Sequence, residues 1–361
     1  MFRLFQALFL LTARTVLAGP FPADVDPIGA IADSISIITE MDAVLTPFIC
    51  QNCFPALGFS MPGQVPDSLK EWWCPVYCEH AFMGFSYEIT ICQSLDQLKR
   101  EFADMRNNFN SRYVRLYGYC DQDGFYDNVI EAAWENTLGV HALIWFDFDG
   151  NDQWQWRRDA LFDVLHTNPK APFVTRVVQF GSEPLFDDVI SPEDLASEVQ
   201  EAKSQLADLQ IPITVSELAA GYMMRGGAQD VLDAVDLISA HMLPFFAQDA
   251  ITGDEAWPNV QNDMDWFMQH GRGKKIYFDE NGWPSQTSSN VQSNSPSAVA
   301  SIDSEHSYYN MLDSRCTDLK KASRGGVGWF AHIYSDKQEP GYGIYDENSH
   351  LKFTFSPRTS C

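Results

Sequence analysis

The chain has 361 residues, with 49 acidic against 24 basic side chains and a formal net charge of −25. That balance excludes a protein that grips nucleic-acid phosphates with a basic face, and one that docks on anionic lipid. At 45% hydrophobic and 13% aromatic residues the chain is not disordered as a whole, and an uncharged polymer such as a neutral glycan stays permitted as a partner.

The first residues read as an export signal. Arg3 gives a positive start, Leu4 to Leu11 is apolar apart from Gln6, and Val16 and Ala18 hold the −3 and −1 positions of a cleavage site after Ala18. The apolar run is shorter than the ~20 residues of a membrane span. Cleavage removes Arg3 and Arg14 and no acid, so the exported chain is more acidic still. The expected location is extracellular or cell-wall associated.

Residues 19–80 form a distinct lead. Asp26-Pro27 is a helix start, and Ile28, Ile31, Ile35, Ile38, Met41 and Leu45 recur mostly at three- and four-residue spacing until Pro47 stops the helix. Cys50, Cys53, Cys74 and Cys78 follow, around Trp72-Trp73. Their spacing has a zinc-site reading, but in an exported chain disulfides are preferred. Cys92 is assigned to Cys120 and Cys316 to Cys361, although sequence does not fix connectivity. The lead is read as a stapled cap on the main domain, against the alternative of an extra wall of a binding cleft.

From residue 81 the rhythm changes. Strands are expected at Met83–Tyr87, Tyr113–Tyr117, Val140–Phe146, Thr175–Phe180, Ile213–Ser216, Leu237–Met242, Lys275–Phe278 and Gly328–Ile333. Helices are expected between them, at Leu95–Asn108, Phe125–Leu138, Gln153–His166, Pro192–Leu209, Ala228–Ala234, Val260–His270 and Val299–Ser323. Alternation of this kind demands parallel strands with crossover helices. The predicted fold of residues 81–361 is an α/β class (β/α)8 TIM barrel with a disulfide-stapled N-terminal extension. An open doubly wound sheet is the alternative, but no Gly-x-Gly-x-x-Gly follows the first strand. Ser285–Ser297, rich in Ser, Asn, Gln and Pro, is expected to be a mobile loop.

A barrel carries its active site at the C-terminal strand ends. Strand four ends Gln179-Phe180-Gly181-Ser182-Glu183, and strand seven ends Phe278-Asp279-Glu280. Strands four and seven face each other across the mouth, so Glu183 and Glu280 can flank one bond. Such a pair is what glycoside hydrolysis needs: an acid for the leaving oxygen and a carboxylate for the anomeric carbon. Strand alternation predicts that Asp279 faces away from Glu280. Glu217, at the end of strand five, is read as a salt-bridging rim residue.

Four stretches carry a family likeness. Val114-Arg115-Leu116-Tyr117-Gly118, Phe180-Gly181-Ser182-Glu183, Pro244-Phe245-Phe246 and Glu280-Asn281-Gly282-Trp283-Pro284-Ser285 lie in order between residues 82 and 355. Together they resemble glycoside hydrolase family 17, in its fungal cell-wall branch of β-1,3-glucanases and glucanosyltransferases. The resemblance implies Glu183 as acid/base and Glu280 as nucleophile of a retaining enzyme acting on β-1,3-glucan. It places Tyr87, Arg115, Tyr117, Ser182, His241, Phe245, Phe246, Trp283 and Trp329 around the substrate, with Phe245, Phe246, Trp283 and Trp329 as sugar platforms and a Tyr near the nucleophile to orient it by hydrogen bond. An acidic pH optimum follows if Glu183 must hold a proton.

The chain departs from that pattern where Ser182 replaces an Asn, where His241-Met242-Leu243-Pro244 replaces Asn-x-(Tyr/His)-Pro, and where no acid accompanies Phe330-Ala331-His332. The alternative function is therefore a weakened or inactive barrel that binds cell-wall glycan. No His-Glu-x-x-His occurs. The expectation is a monomer with no cofactor and no metal, a β-glucan polysaccharide or oligosaccharide as partner, and no nucleic acid or membrane.

Overall fold

Eight short runs of buried, largely β-branched and aromatic residues become eight parallel strands: β1 Ala81–Glu88, β2 Tyr113–Tyr117, β3 Gly139–Ile144, β4 Thr175–Ser182, β5 Ile213–Glu217, β6 Ile238–Met242, β7 Ile276–Asn281 and β8 Gly328–Ala331. Each pairs with the next, and β8 pairs with β1, closing the barrel. The fold is the TIM barrel expected from the alternation. The computed structural model describes residues 50–148 and 150–361. The export signal and the Ile28–Leu45 helix lie outside the described residues.

The helices start and stop where local chemistry dictates. In α1, Leu95–Phe109, Ser94 caps the N-terminus by accepting from the Gln97 N–H, and Asn110 ends it in a left-handed conformation. The next are α2 Phe125–Glu135, α3 Gln153–Thr167 and the short α4 Ala171–Val174. In α5, Pro192–Gln205, Ser191 caps and Pro192 opens the first turn. Then come α6 Ala219–Met224, α7 Gln229–Ala234 and α8 Trp257–His270. The long helix expected over Val299–Ser323 is two: α9 Ile302–Ser314 and α10 Cys316–Leu319. Residues 285–297 are irregular yet tied down, with Ser293 Oγ donating to the Phe245 carbonyl and Asn294 Nδ2 to that of Phe246.

The barrel interior changes character along its axis. Met83, Tyr113, Val177, Leu237, Tyr277 and Phe330 form an apolar lower layer. Beneath it sits Glu79, fully buried, taking hydrogen bonds from Tyr113 at 2.5 Å and from Tyr277, and paired with Arg176 at 3.0 Å. Above it the layer turns polar, with Ser86, Arg115, Gln179, Ser239 and Asp279 all buried.

Glu79 belongs to the cysteine-rich stretch, which packs against the end of the barrel where the strands begin. Trp72 Nε1 donates to the Phe173 carbonyl before β4, and Arg112 before β2 donates to the carbonyls of Cys78 and His80. Described residues 50–80 therefore close the floor and line no part of the mouth. Cys50–Cys78 and Cys53–Cys74 staple this cap, and Cys92–Cys120 and Cys316–Cys361 form as assigned. All eight cysteines are disulfide-bonded, so none is left as a zinc thiolate.

Candidate active site

Two strands at the mouth carry an extra residue beside a glutamate. On β4, Gln179 and Ser182 face Thr214 and Ser216 of β5, three steps against two. On β7, Phe278 and Glu280 face Ala240 and His241 of β6, two steps against one. Such bulges re-aim side chains. Glu183 follows its bulge with a φ of +56°, a conformation uncommon for a residue with a Cβ, and its N–H is held by the Ser216 carbonyl at 2.8 Å.

The β7 bulge overturns the expectation for Asp279. Instead of facing away from Glu280, Asp279 points into the barrel too, and both carboxylates meet Arg115. Arg115 Nη1 lies 3.1 Å from Glu280 Oε2, and Nε 3.5 Å from Asp279 Oδ2. The rest of that buried guanidinium is spent on Gln179 Oε1 at 3.0 Å, Ser182 Oγ at 3.2 Å and Ser216 Oγ at 2.9 Å.

His241 stands between the two glutamates. Its Nδ1 is 2.8 Å from Glu183 Oε1, and its Nε2 is 2.7 Å from Ser216 Oγ and 3.6 Å from Glu280 Oε2. One ligand-type atom each from Glu183, His241 and Glu280 lies within 4.8 Å of the others. A cation could find three donors here, but Arg115 already holds Glu280, so the arrangement fits a positive side chain better than an ion.

Electrostatics separates these groups. Burial opposes ionisation of Glu280, but the charges of His241, His332 and Arg115 and the Arg115 hydrogen bond hold it well below the usual carboxylate range. Burial likewise opposes the charge on His241, but Glu280, the hydrogen bond to Glu183 and Asp279 raise it to about 9. Burial and the charge of Glu183 push Asp187 up to about 6.

Glu217 is not the ion-paired rim residue expected. It is fully buried, and its Oε2 accepts the N–H groups of Leu185 at 2.8 Å and Phe186 at 3.2 Å, while Oε1 accepts that of Leu218 at 2.9 Å. It thus holds the turn that follows Glu183. Burial, then the charge of Glu183, raise its carboxyl to about 8.

The structure gathers only some of the residues picked from sequence. Arg115, Ser182, Glu183, His241 and Glu280 come together, and Tyr117 lies beside them with its ring 5.3 Å from the Arg115 guanidinium carbon. Tyr87 turns outward instead and donates to Glu101 of α1. Phe245 and Trp283 pack edge to face with no exposed surface, and the Trp283 Nε1 is held by the Val299 carbonyl. Trp329 is stacked on Tyr309 behind the barrel wall. Of the proposed platforms only Phe246 is half-buried.

Other groups at the mouth went unremarked in sequence. Gln179, Ser216 and Ser239 were visible only as polar letters inside apolar strands. Glu339 returns from the loop after β8 to meet His332 Nε2 at 2.9 Å, supplying from a loop the acid that β8 lacks. Trp145 packs edge to face on Tyr117, and the exposed Phe148 on Trp145, so an aromatic row leads outward from the glutamates.

A barrel with two glutamates facing each other across its mouth defines a class, the barrel glycosidases. The BtgE/BtgC glycoside hydrolase domain model matches residues 84–339, and the chain belongs to that family. No curated protein matches the chain by sequence. Among solved structures it is similar to an active-site mutant of Rhizomucor miehei β-1,3-glucanosyltransferase in complex with laminaritriose. That match has a TM-score of 0.63 and 17% identity, over 76% of this chain and 97% of that one. The family 17 β-1,3-glucanosyltransferase of the same organism matches equally well, at 18% identity over the same shares. Plant β-glucan endohydrolases match with a TM-score of 0.53 and 14% identity, over 76% of this chain and all of theirs. At these identities the likeness is one of fold.

Proposed function

We propose that this protein is a secreted, monomeric, retaining glycoside hydrolase or transglycosylase acting on β-1,3-glucan. The observation that carries the reading is the approach of Glu183 and Glu280, with carboxylate oxygens within 4.8 Å and Arg115 bonded to Glu280 rather than to Glu183. A retaining pair lies ~5–5.5 Å apart, whereas an inverting pair must leave room for a water. Glu280, held ionised, attacks the anomeric carbon. Glu183 gives its proton to the leaving oxygen, and a glycosyl ester forms on Glu280. Glu183 then takes a proton from water or from a sugar hydroxyl as that oxygen displaces the ester. The four disulfides support export, and no described helix is long and apolar enough to cross a membrane.

The test is laminarin cleavage by the wild type and by Glu280→Ala, with product sizing at high oligosaccharide concentration to separate hydrolysis from transfer. Equal activity in both proteins, or none in the wild type from pH 4 to 9, would sink the reading.

One observation favours a second reading, a barrel that binds glycan with little turnover. Ser182 Oγ lies 3.4 Å from Glu280 Oε2 and takes an Arg115 N–H, so it is committed inward and not toward a sugar hydroxyl. Glucan pull-down without new reducing ends would support this alternative. Reducing ends that depend on Glu183 would reject it.

A further inference from the structure

A second crevice opens between α1 and the loop after β8, lined by neither of the paired glutamates. Its volume is about 270 Å³, below the ~300–1,000 Å³ of drug-sized pockets and suited to a single ring. Gln97, Glu101 and Asp104 line it from α1, and Tyr334, Lys337 and Gln338 from the loop. Adjacent loop residues serve different sites: Gln338 lines the crevice, while Glu339 meets His332 at the catalytic mouth.

This crevice offers hydrogen-bonding groups of both kinds. Some donors along it are engaged within the protein: Gln97 Nε2 gives to Glu101, the Tyr334 and Tyr345 hydroxyls both give to Asp104 at 2.9 Å, and Lys337 Nζ gives to Ser349, though the ammonium and the amide keep further N–H groups. Acceptors are present beside them. Gln93 is 3% exposed and lines the crevice, yet its Oε1 accepts nothing, and neither does the Oε1 of Gln338. The carboxylates of Glu101 and Asp104 keep spare lone pairs as well. At the rim Ile91 stands 65% exposed, offering an apolar face.

A ligand for such a place must bring both donors and acceptors on a compact body with an apolar side. An ammonium ion would bring donors but no such side, and would meet the Lys337 cation. A pyranose ring brings hydroxyl donors around an edge and C–H groups on a face. We propose that this crevice is a second, non-catalytic glycan site that holds one sugar ring of a neutral polysaccharide. The choice of β-1,3-glucan as that polysaccharide rests on the proposed function. Tyr87, whose hydroxyl fixes Glu101, then serves this site and not the catalytic one.

The test uses the full-length Glu280→Gln protein with [13C]tyrosine, titrated with laminaritriose and read by NMR. Tyr334 and Tyr345 report the crevice, and Tyr117 reports the catalytic mouth. Shifts at both places are expected, with those of Tyr334 and Tyr345 weakened at least tenfold in Gln97→Trp while the Tyr117 response stays, showing an intact fold. Gln97→Trp should also leave turnover of short oligosaccharides unchanged and lower retention on insoluble glucan. A response at Tyr117 alone would overturn the crevice proposal and leave the enzyme reading standing. A response at Tyr334 and Tyr345 alone would do the reverse. Displacement of the crevice-bound triose by tetramethylammonium would overturn the assignment to sugar.

Discussion

Nδ1 of His241 lies 2.8 Å from Oε1 of Glu183, and the surrounding network leaves them one proton to share. Ser216 Oγ donates to Asp279 Oδ2 at 2.5 Å and accepts from Arg115, so its other lone pair faces Nε2 of His241 and requires a proton there. A second proton then lies between Nδ1 and Glu183, as imidazolium against carboxylate or as neutral ring against carboxylic acid.

His241→Asn separates them. In the wild type His241 keeps its second proton until pH rises through about 9, the value to which it is raised. Without the ring, Glu183 must hold the proton alone. The alkaline limb of kcat/KM should move to lower pH, and kcat should fall about tenfold or more, ~1.4 kcal/mol or above. A profile superimposable on the wild type would contradict shared protonation. The acidic optimum expected from Glu183 alone widens accordingly toward neutrality.

Arg115→Lys should be far from conservative. One ammonium cannot reach Gln179, Ser182, Ser216 and Glu280 together, as the guanidinium fork does. With the positive charge less closely held and the guanidinium hydrogen bond gone, Glu280 is less strongly kept ionised, so its pKa rises. The acid limb of kcat/KM should shift to higher pH and activity should fall on the order of a hundredfold, ~2.7 kcal/mol. Stability has the same sign: the contribution of Glu280 is present above about 4.5 and lost as pH falls toward its depressed folded value. Calorimetry should find the melting temperature of Arg115→Lys less dependent on acid pH.

Glu217→Gln replaces one acceptor oxygen by an amide donor facing the backbone N–H groups it should receive. A buried unsatisfied donor costs about 1–3 kcal/mol. Lower melting temperature is expected, together with a fall in kcat larger than the change in KM, because the turn behind Glu183 loses its anchor. Gly221→Ala should act in the same direction, since a Cβ there would sit 2.3 Å from Glu217 Oε1.

Removing the Cys316–Cys361 bridge by the double alanine variant opens a loop with a sequence separation of 45. Chain entropy puts the loss near 4 kcal/mol at most, with about 2–4 typical. Denaturant unfolding should show this drop, while activity at room temperature persists because both cysteines lie away from the mouth. An unchanged midpoint would mean that packing around Phe355 already fixes the C-terminus.

The barrel was legible because eight apolar runs alternate with amphipathic ones, and Glu183 and Glu280 were legible because each ends such a run. The bulges were not. Nothing in Phe278-Asp279-Glu280 announces an extra residue, so alternation turned Asp279 outward when the structure turns it in. Aromatic letters near a strand end were equally ambiguous: Trp283, Trp329 and Trp145 are buried, while Phe148, packed on Trp145, is exposed. Glu339 was invisible because its contact with His332 depends on the path of a loop.

The β7 bulge has one more consequence. By placing Asp279 beside Glu280 against Arg115, with His241 between Glu280 and Glu183, it gathers the charges of the mouth into short, buried contacts inside a chain of net charge −25. Dissolved salt screens surface charges over ~8 Å at physiological strength and reaches buried pairs far less. Turnover of an uncharged glucan should accordingly be almost indifferent to ionic strength, however acidic the surface around it.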